Sequence, residues 1–182
     1  MKKLALVFVL ALISVSSFAQ MQKAPMVGGG VMSPSKNIVE NASNSKDHTT
    51  LVAAVKAAGL VETLSSSGPF TVFAPNNAAF DKLPAGTVET LVKPESKETL
   101  TSILTYHVVA GKVSAADVLA MIKEGNGAAV LTTVQGQKLT ASLKGSNVIL
   151  TDAKGGTSMV TVADVNQSNG VIHVIDSVLL PN

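Results

Sequence analysis

The sequence predicts an α+β domain in which helices occupy the first half and β-strands the second. Apolar residues recur at helical spacing over residues 51–64 and 97–109. Residues 128–180, in contrast, are rich in Val, Ile, Leu and Thr and are interrupted by short turns, most of them containing glycine. This segregation favours α+β, since parallel α/β folds alternate helices with strands along the chain.

Residues 1–19 have the pattern of a bacterial secretory signal peptide. A basic start precedes an apolar run over residues 4–15, and Ser17 and Ala19 are small residues where a signal peptidase would recognise them. The run is shorter than the about 20 apolar residues that span a bilayer, and no cysteine follows that could carry a lipid anchor. We therefore expect cleavage near Ala19, no membrane span, and a mature protein in the periplasm or outside the cell.

The remaining sequence divides into a linker and one domain. Residues 20–35 contain three consecutive glycines and two prolines, which predicts a flexible spacer. Residues 36–182 contain neither an internal repeat nor a second linker, so we expect a single domain there. The chain has no cysteine, and its hydrophobic content of 46% is sufficient for an apolar core without disulfides.

The first helical segment covers residues 51–64. Asp47 or Thr49 could cap its start, and Gly59 could end a first helix before a short second one. Such a division would leave two short helices in this part of the chain.

A strand and a further helix follow. The apolar run 70–73 predicts a short strand that ends at Pro75. Asn76 or Asn77 is then placed to cap a helix over residues 78–83, because an asparagine side chain can accept a bond from a free backbone N–H.

The next helix is expected over residues 97–109. Leu100, Ile103, Leu104 and His107 are spaced i, i+3, i+4 and i+7, so they share one face of that helix.

The chain then passes from helix to sheet. Residues 114–117, Ser-Ala-Ala-Asp, resemble a capping box and predict a helix that extends to about Ile122. Short turns separate the predicted strands that follow. These strands cover residues 128–134, 138–143, 147–151, 159–163 and 171–180.

The charge pattern argues against nucleic-acid binding. Removal of the signal peptide takes away two of the 14 basic residues, which leaves 12 basic and 12 acidic residues and no formal net charge. Every basic residue is lysine, and aromatic residues make up only 3% of the chain. Nucleic-acid binders instead carry a basic excess with arginine and stacking aromatic side chains.

Tyr106 and His107 are the strongest candidates for chemistry, because one is the single tyrosine and the other is one of three histidines. Adjacent helical residues point about 100° apart and do not face each other, so the two cannot form a mutually bonded acid–base pair. His107 shares its helix face with apolar residues. This favours a buried neutral imidazole that donates to a carbonyl and fixes the helix against its neighbour, over a catalytic or metal-binding role.

Other chemical sites have little support. His48, His107 and His173 lie far apart in the sequence without the short spacings of a metal site, and we expect His48, beside Asp47, to be solvated. No serine occupies a Gly-x-Ser-x-Gly elbow, and the three glycines at 28–30 are not followed by the Lys-Ser or Lys-Thr of a phosphate loop. We therefore expect no catalytic, cofactor-binding or metal-binding residues.

Three segments instead carry a family resemblance. They are GPFTVFAPNNAAF at 68–80, LTYHVVAG at 104–111 and NGVIHVIDSVLLP at 169–181. In this order and spacing they closely resemble the fasciclin domain family, over about residues 35–181, and the chain looks most like the single-domain secreted bacterial members. The motif residues on which the resemblance rests are Phe70, Thr71, Val72, Phe73, Ala74, Pro75, Asn77, Phe80, Tyr106, His107, Gly170, His173, Val174 and Asp176.

The resemblance implies both a fold and a function. The fold would be a compact β wedge or sandwich flanked by several helices, with the first and last motifs paired near its centre and the Tyr-His motif supporting them. The function would be non-enzymatic adhesion to a cell-surface or matrix protein or to a polysaccharide. The animal integrin-type contact is not expected, because the chain has no Asp-Ile dipeptide.

A second function that the resemblance leaves open is a secreted carrier of an apolar small molecule. An apolar pocket of roughly 300 Å³ or more would favour the carrier, and a shallow surface would favour adhesion.

Overall fold

The structure, a computed structural model, describes residues 24–182. The predicted signal peptide at residues 1–19 therefore lies outside the described residues. The helices of the described part are α1 (Ile38–Asn44), α2 (Thr49–Ala58), α3 (Val61–Ser65), α4 (Asn77–Asp81), α5 (Thr87–Leu91), α6 (Lys97–Tyr106) and α7 (Ala115–Glu124). No helix within residues 24–182 is long and apolar enough to cross a membrane.

The strands are concentrated in the second half, as the α+β prediction requires. All five strands predicted after residue 127 are present, and the last two differ most from their predicted bounds. The strands are β1 (Met26–Val27), β2 (Gly30–Val31), β3 (Phe70–Pro75), β4 (Val108–Ala110), β5 (Ala128–Thr132), β6 (Lys138–Lys144), β7 (Asn147–Thr151), β8 (Thr157–Gln167) and β9 (Gly170–Ile175).

Seven of these strands form one mixed sheet in the order β4-β3-β9-β8-β7-β6-β5. Only β3 and β9 run parallel, with Phe70 opposite Gly170 and Pro75 opposite Ile175. The long strand β8 pairs with β7 at one end and with β9 at the other, and its register shifts twice between Val160 and Val165. Because bulges bend a strand, β8 divides the sheet into two halves that face each other as a wedge.

The two outer strands of the sheet meet at the end of the wedge. Val109 forms an isolated antiparallel bridge with Thr133, and the Val134 N–H donates to the Val108 carbonyl at 2.7 Å. Part of each sheet edge is thereby covered, which protects backbone groups that an open edge would leave unpaired.

Two apolar cores lie on opposite faces of β3 and β9. The helical core packs α1–α4 and α6 against one face, and Val72 and Ala74 of β3 point into it. The wedge core lies between the halves of the sheet, and Phe73 of β3 points into it. Alternation along β3 thus supplies both cores. The wedge core consists of Phe73, Tyr106, Val109, Val118, Ile122, Ala129, Leu131, Leu139, Ala141, Leu150, Ile175 and Leu179.

The prediction of a flexible spacer over residues 20–35 is wrong for residues 24–35. Strands β1 and β2 form a small hairpin there, and its Val27 and Met32 are 6% and 2% exposed within the helical core. The Lys46 N–H donates to the Gly28 carbonyl at 3.0 Å, which fastens the hairpin to the chain before α2. The free energy gained by burying these two apolar side chains therefore outweighs the conformational entropy lost when the glycine-rich segment becomes ordered.

The helix starts agree with the predictions in two places out of three. Asn76 caps α4 by accepting from the Ala79 N–H at 2.8 Å, and Ser114 with Asp117 forms the predicted capping box of α7. The predicted cap of α2 by Asp47 or Thr49 is wrong, because Asn77 accepts the free Thr50 N–H of that helix at 3.1 Å. A cap supplied from a distant segment leaves no local sequence pattern.

Helix α6 is shorter than predicted. It ends at Tyr106, and the β-branched Val108 and Val109 continue as β4 against β3 instead of extending the helix. Branching at Cβ makes a helix less favourable and a strand more favourable for these two valines, and the backbone bonds to β3 stabilise the strand. His107 is consequently the residue that joins the helix to the sheet.

Candidate interaction surface

The first and last family motifs meet along the parallel pair of β3 and β9. Thr71, Val72, Phe73 and Ala74 are all buried, and the Phe80 ring is buried in the helical core. Phe70 and Val178 are only half-buried. Most residues of these motifs therefore build the centre of the fold and do not reach a partner.

Position 170 can be occupied only by glycine. It opens β9 directly against Phe70, and a Cβ atom there would collide with the Phe70 backbone. Glycine allows this close backbone approach because it has no side chain.

Thr71 holds the loop that leads into α7. Its Oγ1 donates to the Gly111 carbonyl at 2.7 Å and accepts from the Val113 N–H at 2.8 Å. Both bonds are internal, so the hydroxyl has a structural role.

Asn77 connects two helices. Besides capping α2, its Nδ2 donates to the Lys46 carbonyl at 2.8 Å. The family asparagine thereby fixes the start of α2 against the start of α4.

Tyr106 spans the wedge core. The residue is 0% exposed, and its Oη donates to the Lys138 carbonyl at 2.8 Å and accepts from the Ala153 N–H at 3.0 Å. Burial raises the pKa of the phenol, although the bond from Ala153 opposes this shift. The hydroxyl thus ties α6 to the start of β6 and to the turn before β8.

His107 has the structural role that the sequence favoured. It is 2% exposed, its Nδ1 lies 2.8 Å from the Ile103 carbonyl, and its Nε2 accepts from the Leu179 N–H at 3.0 Å. This pattern requires a neutral ring with the proton on Nδ1. Burial lowers the pKa of His107 to about 4, against smaller opposing effects of the Ile103 carbonyl and Asp152.

His173 is bonded in a similar way. Its Nε2 lies 2.9 Å from the Val113 carbonyl, its Nδ1 accepts from the Asp164 N–H at 3.3 Å, and its ring stacks on Phe73 with centroids 5.6 Å apart. Burial lowers its pKa, while the Val113 carbonyl and Asp164 oppose the shift. Both nitrogens are engaged, which leaves neither free for a metal or a substrate.

The expectation that His48 is solvated is wrong. The ring is 3% exposed because the N-terminal hairpin covers it, and its Nδ1 lies 2.9 Å from Ser45 Oγ. Its Nε2 has no hydrogen-bond partner within the described residues. Burial lowers the pKa of His48, and the nearby Asp47 opposes that shift.

Val174 points into the helical core, and Pro75 ends β3 in a buried position. Asp176 is a family residue that reaches the surface, with 31% of its side chain exposed. Its Oδ1 accepts from the Met159 N–H at 2.8 Å, and its Oδ2 lies 3.4 Å from the Lys82 ammonium. Partial burial acts to raise the pKa of Asp176, but the contacts with Met159 and Lys82 have the larger combined effect. The net result is a lowered pKa.

Asp176 and Lys82 border an open groove of about 700 Å³. Ile149 and Met159 contribute apolar surface to the groove, and its remaining side chains are hydroxyl, amide or charged groups. We call it the Asp176 groove. Its lining residues are Lys82, Lys144, Gly145, Asn147, Ile149, Thr157, Ser158, Met159, Asp176 and Ser177.

Two enclosed apolar cavities lie in the helical core, and both are small. One, of about 20 Å³, lies beneath the N-terminal hairpin between Val27, His48 and Val174, and the other, of about 30 Å³, lies between Val39, Leu104 and Val108. Each has room for about one water molecule. Neither approaches the roughly 300 Å³ expected of a carrier pocket.

No sequence pattern predicted the residues that line the groove outside the family motif. Lys82, Ile149 and Met159 lie in segments distant from one another, and only the pairing of β7 with β8 brings the last two together. The strand alternation of residues 147–151 could have indicated which side chains face outward. Among residues 24–182, no group of three or more His, Cys, Asp or Glu side chains converges in a way that could hold a metal ion.

Comparison with known proteins agrees with this architecture. The family model of the fasciclin domain matches residues 46–181. Protein sll1483 of Synechocystis sp. is 49% identical over 160 residues, which cover 88% of this chain and 82% of that protein. The cell surface glycolipoprotein MPB83 of Mycobacterium bovis is 37% identical over 145 residues, which cover 77% of this chain and 58% of that protein.

A solved structure shares the fold. It is a FAS1 domain pair from the insect cell adhesion molecule fasciclin I, with a TM-score of 0.70 and 20% sequence identity. The match covers 80% of this chain and 51% of that one, so the chain spans about half of the solved pair. Since the family model covers about three quarters of the sequence and the motif segments pair at the centre of the sheet, the chain belongs to the fasciclin domain family.

Proposed function

We propose that this protein is a secreted, non-enzymatic adhesion module that binds a cell-surface or matrix protein or a polysaccharide through the Asp176 groove. The observation that carries the proposal is the contrast between two sets of residues. Tyr106, His107 and His173 are buried and fully bonded inside the fold, whereas the groove is open and borders the partly exposed family residue Asp176.

The shape and chemistry of the groove support binding of a macromolecule. It combines apolar surface from Ile149 and Met159 with hydroxyl and amide groups and with the Lys82–Asp176 ion pair. Protein surfaces that bind partners commonly place a small apolar centre inside a polar rim. The alternative, a carrier of an apolar small molecule, has less support because the enclosed apolar cavities are only about 20 and 30 Å³.

Secretion is supported by the signal-peptide pattern of residues 1–19 and by the relative whose name places it at the cell surface. Expression of the full chain in a bacterium tests this part of the proposal. We expect the protein in the periplasmic or culture fraction, with an N-terminus near Gln20. Retention of residues 1–19 on a cytoplasmic protein would contradict it.

Binding is tested with the protein purified from that fraction and immobilised envelope extract. Thr157→Arg adds bulk and charge to an exposed position in the groove, and Thr63→Arg makes the same change on the exposed surface of α3. We expect Thr157→Arg to lower the captured amount at least tenfold and Thr63→Arg to leave it within twofold. Equal capture by both variants, with unchanged melting temperatures, would exclude the groove as the binding surface.

A further inference from the structure

The outward side chains of strands β5, β6 and β7 form a continuous surface beside the Asp176 groove, and we call it the meander face. The strand register places Val130, Thr140 and Thr151 in one row across it. A second row contains Ala128, Ser142 and Ile149. The rows consist of short side chains spaced by about 4.8 Å from strand to strand, and such side chains lose little conformational entropy when a partner covers them.

Lysines stand at both ends of this face. Lys138 and Lys144 are the first and last residues of β6 and point outward with Thr140 and Ser142 between them. Five residues lie between the two lysines, and the six residue-to-residue steps along the strand correspond to roughly 20 Å. Lys154, in the turn between β7 and β8, adds an exposed cation near the Lys138 end.

The meander face has no counter-charge of its own. Strands β5, β6 and β7 contain no Asp or Glu. Within residues 24–182 the one ion pair joins Lys82 to Asp176, so Lys138, Lys144 and Lys154 have no ionic partner in this part of the structure.

The acidic residues of this half of the chain are engaged elsewhere. Asp152 is buried and accepts backbone bonds from Lys154, Gly156 and Leu180, and Asp164 accepts from the Ala115 N–H at the start of α7. The meander face is therefore a basic region on a chain whose expected mature net charge is zero.

Hydroxyl side chains between the lysines distinguish this surface from a simple cation patch. Serine and threonine both donate and accept hydrogen bonds, as sugar hydroxyls do. Nucleic-acid recognition uses arginine and stacking aromatic groups, and the face has neither. We infer that the meander face binds an anionic polysaccharide that carries uronate carboxylates, with the lysines pairing with carboxylates and Thr140, Ser142 and Thr151 bonding to sugar hydroxyls.

This inference rests on the proposed function and names the ligand class for the groove and the face beside it. The test measures binding of the purified protein to immobilised polygalacturonate, with neutral dextran and single-stranded DNA as comparison polymers. We expect binding to polygalacturonate that weakens several-fold between 20 and about 200 mM NaCl, because salt screens exposed charges. Binding to dextran and DNA should be at least tenfold weaker.

Two matched sets of variants assign the binding to the face. The triple variant K138Q/K144Q/K154Q should lose at least tenfold in affinity, and K56Q/K93Q/K123Q, with the same change in net charge on exposed helical or loop positions, should stay within twofold. Thr140→Val with Thr151→Val keeps every charge and should lower the affinity threefold or more.

Several results would overturn the inference. Equal losses in the two triple variants would show that only net charge matters, and equal binding to DNA would show a general polyanion effect. Unchanged affinity after the two threonine substitutions would remove the role of the hydroxyls. If envelope capture still depends on the groove while polygalacturonate does not bind, the ligand class is wrong and the proposed adhesion function remains.

Discussion

At the scale of single residues, His107 shows how one neutral ring fixes three parts of the fold. It follows directly after α6, its Nδ1 bonds to the Ile103 carbonyl inside that helix, and its Nε2 accepts from the Leu179 N–H beyond β9. Each of these backbone groups is buried with the ring, so each depends on the imidazole as its partner.

Replacing His107 by alanine should therefore destabilise the domain. Two buried backbone groups would lose their partners and a cavity would form, which costs about 2–5 kcal/mol. His107→Gln should recover part of this, since an amide can both donate and accept. Chemical denaturation measures both variants. A catalytic histidine would instead leave the melting temperature unchanged, and a metal ligand would make it sensitive to a chelator.

The same ring makes stability depend on pH. The pKa of His107 is lowered to about 4 in the folded state, below the ordinary 6.5, so the unfolded chain takes up the proton first as pH falls. The stabilisation by neutral His107 is complete above pH 6.5 and is lost as pH falls from 6.5 to about 4. The total loss of unfolding free energy over this range is about 3 kcal/mol.

The lowered pKa values of His48 and His173 act in the same direction, whereas Asp176 loses its contribution only below its ordinary value of 3.8. Denaturation curves at pH 7.5, 5.5 and 4.5 measure the sum. His107→Gln should flatten the dependence, and an equally steep loss in that variant would assign it to other groups.

Tyr106→Phe should also be costly, because its hydroxyl is buried and makes two bonds. Its removal leaves the Lys138 carbonyl and the Ala153 N–H without their partner, at about 1–3 kcal/mol. Thermal unfolding measures the loss. A change below about 0.5 kcal/mol would mean that water replaces the hydroxyl at these groups.

At the scale of elements, the N-terminal hairpin shows where sequence patterns stop being informative. Three glycines and two prolines predicted a flexible spacer, yet Val27 and Met32 are buried and cover His48. Nothing local in the sequence indicates this docking, because the surface that receives the hairpin is assembled from α1, β3 and β9.

Met32→Ala should consequently lower the stability by about 2–5 kcal/mol, as for other buried methionines. Met26 lies in the same hairpin but is 65% exposed, so Met26→Ala is the matched control and should have little effect. Guanidinium unfolding compares the two. Equal stabilities would show that the hairpin does not contribute to the core.

Elements with regular local patterns were predicted well. Strand β7 has the predicted bounds, and the capping box of α7 is present at Ser114 and Asp117. The errors occur where a contact with a distant segment determines the local structure. Asn77 caps α2 from outside that segment, and pairing with β3 makes residues 108–110 a strand although residues 108 and 109 were predicted as helix. The Asp176 groove belongs to the same class, since it arises from segments that only the sheet register brings together.

At the scale of the whole molecule, the two cores share one pair of strands. Val72 and Phe73 are adjacent on β3 yet point into the helical core and the wedge core, respectively. Strand β9 alternates in the same way, with Val174 in the first core and Ile175 in the second. Neither core can therefore lose its packing without exposing a strand that the other core needs.

We therefore expect the domain to unfold in a single transition. Tyr106, the only tyrosine of a chain without tryptophan, reports on the wedge core by fluorescence, and circular dichroism at 222 nm reports mainly on the helices. Phe73→Ala should cost about 3–5 kcal/mol and Val72→Ala less, because fewer buried atoms are removed.

In both variants the two signals should shift together. If Phe73→Ala moved only the fluorescence transition, or Val72→Ala only the dichroism, the two cores would be separate folding units. Coincident midpoints in all three proteins would show instead that β3 and β9 couple helices and wedge, so that a partner bound at the Asp176 groove would stabilise the entire domain by mass action.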